Sequence, residues 1–260
     1  MTIDVDPNWW KTLFDEIYLI TDARSVCDDA LTGREVDMIC EMLPLDCAHR
    51  ILDLCGGHGR HTLELCKRGF GHCTMLDYSQ KLIDMAEATA RDHDYSARFL
   101  QGDARNTDLP DNAFDHVIIM GNSLGYIQSP DADSRILKEA NRLLRPGGQL
   151  LVDVADGSVV NRLFNPNSWH EIGEEIVVCR HRELQGNRIK ARELVIDKQK
   201  GLIRDKTYAI RLFISESLEM LFQQSGFIDV RVHTNFSPHL FDGDYGFMNN
   251  RMIGVGRKSL

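Results

Sequence analysis

Residues 51–65 read ILDLCGGHGRHTLEL. An apolar run carrying one carboxylate, Asp53, stops at three glycines, Gly56, Gly57 and Gly59, and a segment with helical spacing follows. A strand, a glycine-rich turn and a helix N-terminus form a cradle for an anion or a cofactor. The backbone N–H groups at the helix start have no intrahelical partner, and glycine lets a ligand touch the main chain. The dinucleotide form of this cradle, G-x-G-x-x-G, fails here. Counted from Gly57 its last glycine is Thr62, and counted from Gly56 its second glycine is His58.

Other chemistry-bearing residues are spread more widely. His58 and His61 have the spacing of a metal pair, but further ligands at zinc spacing are missing, so no metal is expected. Seven cysteines without a C-x-x-C pair read as reduced thiols of a cytoplasmic protein. Asn122, Ser123 and Tyr126 lie in a loop after an apolar run, where polar residues either build the turn or contact a ligand. Arg211 either pairs with a substrate carboxylate or sits on a strand surface.

The elements that must position these residues alternate. Strands are expected over 49–55, 72–79, 97–104, 114–122 and 149–156. Helices are expected over 59–68, 79–92 (capped by Ser79) and 131–144. That order implies a parallel sheet covered on both faces, with ligands bound beyond the carboxyl ends of the strands. Ahead of it, 8–20 carries Trp10, Leu13, Phe14 and Ile17 at helical spacing, and 33–43 is a second helix ended by Pro44. After residue 157 the pattern changes to three strands, 174–184, 187–197 and 202–213, with turns at Gln185–Asn187 and Asp197–Gly201. One face of this β-meander offers Ile176, Val178, Ile189, Leu194 and Ile196 for packing. A helix from near Ser215 and two last strands, 228–236 and 252–258, complete the chain.

The 260 residues suffice for one full-sized domain with an inserted piece. A formal net charge of −9 and the lack of a basic run argue against a nucleic-acid partner, whose phosphates need neutralising. No apolar run reaches the ~20 residues of a membrane helix, and MTIDVDPNWW lacks a signal-peptide core.

Several of these features, in this order, resemble the class I S-adenosylmethionine-dependent methyltransferases of small-molecule type: LDLCGGHGR, Asp77 at the end of the second strand, GDA at 102–104, FDHVIIMGNSLGYI, LLRPGGQLLVDV and LFQQSGFIDVRV. The resemblance implies a doubly wound, Rossmann-like seven-stranded sheet, mostly parallel with its last strand antiparallel. An antiparallel β-meander is inserted over the ligand site as a lid, or serves a dimer. It divides the chain into an N-terminal helical segment, 1–45, covering the cofactor, an α/β domain, 46–156 and 213–260, and the meander, 157–212. It implies S-adenosylmethionine as cofactor and S-adenosylhomocysteine as product.

On that pattern Asp77 binds the ribose hydroxyls, Tyr78 lies on the adenine face and Asp103 reads the adenine amino group beside Ala104. Gly57 and Gly59 form the turn, Asp53 supports it, and Tyr18 and Met120 lie against the cofactor. Cys55 replaces the family's first glycine; a cysteine there is not expected to take positive φ easily. Asn122, Tyr126 and Arg211 are candidates for the acceptor site. Tyr126, His170 and His181 are candidates for catalysis, with His233 and His239 also in segments expected to line the pocket. The YAIRLF and FDGDYG segments resemble the same group.

An amine acceptor needs only its lone pair, whereas a hydroxyl needs a base. The Asn/Asp-Pro-Pro-aromatic signature of amide and adenine methylation and the Pro-Cys pair of cytosine methylation are absent. The implied reaction is methyl transfer to N or O of a small molecule by a monomer or homodimer. A peptide or protein acceptor and a non-catalytic cofactor-binding module remain as alternatives.

Overall fold

A computed structural model describes residues 2–239 and 249–260. The FDGDYG segment, 241–246, lies outside them. The N-terminal segment is a single 3-10 turn, Trp9–Lys11, then α1 (Glu16–Thr21), α2 (Ala23–Val26) and α3 (Asp29–Met42). The one helix expected over 8–20 is therefore broken. The Asp15 carboxylate accepts from the N–H groups of Ile17 and Tyr18 at 2.9 and 3.1 Å, which starts a new helix rather than continuing one. Asp28 likewise caps α3 through Leu31 N–H, four residues ahead of the expected start.

The α/β layer follows the expected alternation: β1 (Ile51–Leu54), α4 (Arg60–Lys67), β2 (Cys73–Asp77), α5 (Gln80–Asp92), β3 (Arg98–Gln101), β4 (Phe114–Ile119), α6 (Ala132–Leu143) and β5 (Leu144–Ala155). Strands β1 and β4 are buried along their whole length, as strands covered on both faces must be. Their alternate residues feed two cores. Leu52, Val117, Ile119 and Val152 meet α6 on one face, while Ile51, Ile118 and Leu151 meet α3 and α4 on the other.

After β5 come α7 (Gly157–Arg162) and four antiparallel strands, β6 (Asn167–Ile172), β7 (Ile176–Gln185), β8 (Arg188–Asp197) and β9 (Gly201–Arg211). The chain then returns to the first layer through α8 (Ser215–Gln224), β10 (Phe227–Phe236) and β11 (Arg251–Lys258). The large sheet has seven strands in the order β10-β11-β5-β4-β1-β2-β3, with β11 antiparallel to both its neighbours and the rest parallel. The strand order reverses between β1 and β4, so the ligand crevice opens at their carboxyl ends.

The meander departs from expectation in two ways. It has four strands, because NSWHEI pairs along β7 as an edge strand. That segment has no apolar alternation, so its sequence carries little strand signal. The packing face is also different. Val178, Ile189, Ala191 and Val195 are buried, whereas Leu194 and Ile196 have the opposite parity and only partial burial. The meander is stitched to the crevice: Arg211 N–H donates to the Gly125 carbonyl at 2.9 Å and Gly157 N–H to the Phe213 carbonyl at 2.8 Å.

Candidate functional site

The glycine turn is built by left-handed backbone. Gly57 has φ 59° and Gly59 φ 79°. A Cβ on Gly59 would lie 2.9 Å from the Ala86 Cβ, so only glycine lets α4 start against α5. Cys55 also takes positive φ, 65°, against the expectation for a side-chain-bearing residue. It is held there because the Cys55 and Gly56 N–H groups both donate to the Leu76 carbonyl, at 2.8 and 3.2 Å. Such a conformation costs ~1–2 kcal/mol outside glycine. Burial pushes the Cys55 thiol well above its ordinary range, which leaves it a protonated wall residue.

Asp53 lies behind the turn. Its Oδ2 accepts from Thr62 Oγ1 at 2.8 Å, and Oδ1 has no hydrogen-bond partner. Burial raises this carboxyl to about 6. Asp77 lies in front of it. Its two oxygens accept from Gly57 N–H and Ser79 N–H, each at 2.8 Å, and its carboxyl is also raised by burial.

Asp77 lines a cavity whose walls include Cys55, Gly57, Tyr78, Leu82, Asp103, Ala104, Ser123 and Tyr126, with Trp10, Phe14 and Tyr18 from the N-terminal segment. Tyr78 stands edge-on to Trp10 at 4.8 Å, and the Arg105 guanidinium lies over the other ring, 5.5 Å from its centroid. Arg105 also engages both oxygens of Asp103, which lowers that carboxyl. The Met120 side chain is not in this wall. It packs in the core beside Val36 and Ile39, and its carbonyl accepts from Ser123 Oγ at 2.8 Å.

A second cavity adjoins the first and shares Phe14, Tyr18, Gly121 and Tyr126 with it. Its far wall is the inner face of the meander: Arg180, Arg182, Glu193, Arg204 and Tyr208, facing Trp9 and Asp22. Sequence reading missed these five meander residues. The signal was there, since the parity that buries Val178, Ala191 and Val195 also turns Arg180, Arg182 and Glu193 inward.

The same parity corrects His181. It lies between two inward arginines, so it points outward, is exposed, and bonds Asn167 Oδ1 through Nδ1 at 2.8 Å. His170 lies on edge strand β6 and lines neither cavity. Arg211 is also placed elsewhere: it pairs with Asp133 and donates to the Ser129 carbonyl, tying β9 to the start of α6. Asn122 reaches the second cavity, but its Oδ1 accepts from Ala155 N–H at 2.9 Å, and its φ of 61° marks it as a turn residue.

Beneath the shared wall is a buried ionic group that sequence reading did not find, because its members lie far apart along the chain. Arg251, fully buried, pairs with Glu35 and, at 2.6 Å, with Asp153. Arg60 and His61 complete the surroundings of Glu35. Burial would raise the Glu35 carboxyl, yet Arg251 and Arg60 hold it well below its usual range. Asp153 meets one guanidinium, and burial pushes it up to about 6. His61, buried beside Arg60, falls to about 4 and is neutral. Asp153 Oδ2 also accepts Gly121 N–H at 2.9 Å, which fixes the loop between the two cavities.

The left-handed glycine turn, the carboxylate at the end of β2 and the cavity between them fit a cofactor with an adenosyl group. With the 3-2-1-4-5 core of the sheet and its antiparallel β11, they give the α/β layer a fold similar to that of solved S-adenosylmethionine-dependent methyltransferases. Residues 51–148 match the family model described as a methyltransferase domain. A demethylmenaquinone methyltransferase of Lactobacillus johnsonii is 37% identical over 103 residues, 38% of this chain and 41% of that protein. The chain spans about half or less of the length of the curated relatives it matches. Among solved structures, the CcbJ methyltransferase of Streptomyces caelestis is similar with a TM-score of 0.77 and 20% identity, covering 98% of this chain and 100% of that one. The sugar N-methyltransferase KedS8 of a Streptoalloteichus species is similar with a TM-score of 0.67 and 20% identity, covering 100% and 97%. At these identities the likeness is one of fold. No helix among the described residues is long and apolar enough to cross a membrane.

Proposed function

We propose that this chain transfers the methyl group of S-adenosylmethionine to a small molecule held in the second cavity. The observation that carries the reading is the adjacency of two cavities of different chemistry. One is lined by Asp77 and the glycine turn, the other is walled by the meander, and Phe14, Tyr18, Gly121 and Tyr126 border both. Bound in the first, the cofactor supplies an electrophilic methyl group. Asp77 holds its ribose through the lone pairs left free by Gly57 and Ser79. Tyr78 and Leu82 flank its adenine, and Asp103 and Ala104 close that end. The shared aromatic rings exclude water from the transfer path and orient the acceptor, which together account for several of the roughly 7–11 kcal/mol that positioning can supply.

The acceptor nucleophile is an amine lone pair or an oxygen that is already ionised. Among the described residues no histidine lines either cavity, and the carboxylates of Asp22 and Glu193 are both engaged by Arg180. Burial pushes the Tyr18, Tyr126 and Tyr208 hydroxyls up, away from service as a base. The meander acts as a lid that selects the acceptor and adds little to cofactor affinity. The resemblance in fold to a sugar N-methyltransferase supports a small-molecule acceptor. Incubation with radiolabelled S-adenosylmethionine and cell metabolites fractionated by mass tests this. Label is expected in low-mass fractions; label confined to protein, or none at all, would contradict it.

A further inference from the structure

The second cavity holds two buried donors that lack acceptors. Arg204 is 5% exposed; its Nη2 donates to the Leu13 carbonyl at 3.2 Å and pairs with Asp15. Its Nη1 has no hydrogen-bond partner, with Glu193 Oε1 standing 3.5 Å away. Trp9 is 4% exposed and its Nε1 also lacks a partner. A guanidinium and an indole N–H can only donate, and buried donors are as a rule satisfied. What this wall lacks is acceptor atoms.

The charges point the same way. Arg180, Arg182 and Arg204 line the cavity against Asp22 and Glu193, so a cationic group would enter a wall with more guanidinium than carboxylate groups, beside a sulfonium. The remaining surface is aromatic. Phe14 and Tyr126 are stacked with centroids 5.4 Å apart, and Trp9 lies 5.3 and 5.7 Å from Tyr126 and Tyr208. Flat rings favour offset or edge contacts of this kind.

We infer that the acceptor is a flat ring compound bearing a carboxylate, its ring held among Trp9, Phe14, Tyr126 and Tyr208 and its oxygens accepting from Arg204 and Trp9. This rests on the methyl-transfer reading above and narrows its substrate. Glu193 and Asp22 keep Arg180 in place, while Arg204 Nη1, 3.5 Å from Glu193 Oε1, makes no hydrogen bond and can donate to an acceptor in the cavity.

The test is calorimetric titration of the full chain, first with S-adenosylhomocysteine and then, with that ligand saturating, with benzoate, 4-hydroxybenzoate and indole-2-carboxylate, their carboxamides, and benzylamine. The carboxylates should bind about tenfold or more tighter than their amides. Trp9→Phe, which keeps the ring and removes the donor, should cut that preference by about threefold or more, and Arg204→Gln should abolish it. Equal binding of acid and amide, tighter binding of benzylamine, no binding of any carboxylate, or a preference untouched in Trp9→Phe would each overturn the inference. Failure of S-adenosylhomocysteine to bind in the first titration would instead sink the methyl-transfer reading beneath it.

Discussion

The Asp77 carboxylate accepts the backbone N–H of Gly57 at 2.8 Å. Its other oxygen accepts Ser79 N–H at the same distance. One side chain at the end of β2 thus ties the glycine turn after β1 to the cap of α5, and it also faces the cavity. Asp77→Ala should weaken S-adenosylhomocysteine binding by about 2–4 kcal/mol, since two charge-assisted ribose bonds are lost and water partly replaces them. It should also lower unfolding free energy by about 1–3 kcal/mol through the two backbone amides. Calorimetry and urea denaturation measure the two effects separately. An unchanged dissociation constant in the folded variant removes Asp77 from the site.

Cys55 occupies left-handed backbone with φ 65°. Replacing it with glycine relieves ~1–2 kcal/mol of strain and costs roughly 0.5–1 kcal/mol of unfolded-chain entropy, so Cys55→Gly should be neutral to about 1 kcal/mol more stable. Cys55→Val should lose more than 1 kcal/mol, as β-branching aggravates the strain. Thermal and urea unfolding of both variants check this. A clear loss of stability in Cys55→Gly would mean that the thiol makes packing contacts worth more than the strain.

Arg251 is fully buried between Glu35 and Asp153. Arg251→Met should cost about 3–5 kcal/mol, because it strands Asp153 without a guanidinium and leaves Glu35 only Arg60. Since Asp153 also holds Gly121 N–H, the variant should lose ligand affinity as well as stability. A loss of under 1 kcal/mol in urea denaturation would show that the group relaxes to solvent.

Stability should rise with pH between 4 and 6.5. His58, His61 and His116 are pulled down to about 4 by burial, so over this range the unfolded chain binds the protons and folding releases them. Asp53 and Asp153, raised to about 6, work in the opposite sense: the folded state holds their protons, and stability falls as they ionise. The three histidines outweigh the two aspartates, leaving a net gain of roughly 1–4 kcal/mol by pH 6.5. His116→Gln should flatten the profile and Asp53→Asn should steepen it. Urea midpoints measured from pH 4 to 7 that fall with rising pH would contradict the balance.

The α/β layer was legible because period and punctuation agree there: apolar runs end at Gly56 or Ser79, and those residues turn or cap the chain. The break at Asp15 was hidden, since helical spacing of Trp10, Phe14 and Ile17 persists across a cap. Edge strand β6 was hidden because Asn167, His170 and Glu171 show no alternation. Histidines 170 and 181 drew attention by residue type, yet strand parity decides what faces a cavity, and it selects Arg180 and Glu193 instead. The Glu35–Arg251–Asp153 group joins residues of α3, β11 and β5 that lie far apart along the chain.

Calorimetric titration of the wild-type chain with S-adenosylmethionine, S-adenosylhomocysteine and NAD tests the central claim most directly. The turn of Gly57 and Gly59 with Asp77, and the failed dinucleotide pattern, predict binding of the two adenosyl ligands and none of NAD. Binding of NAD with no response to either adenosyl ligand would contradict the account.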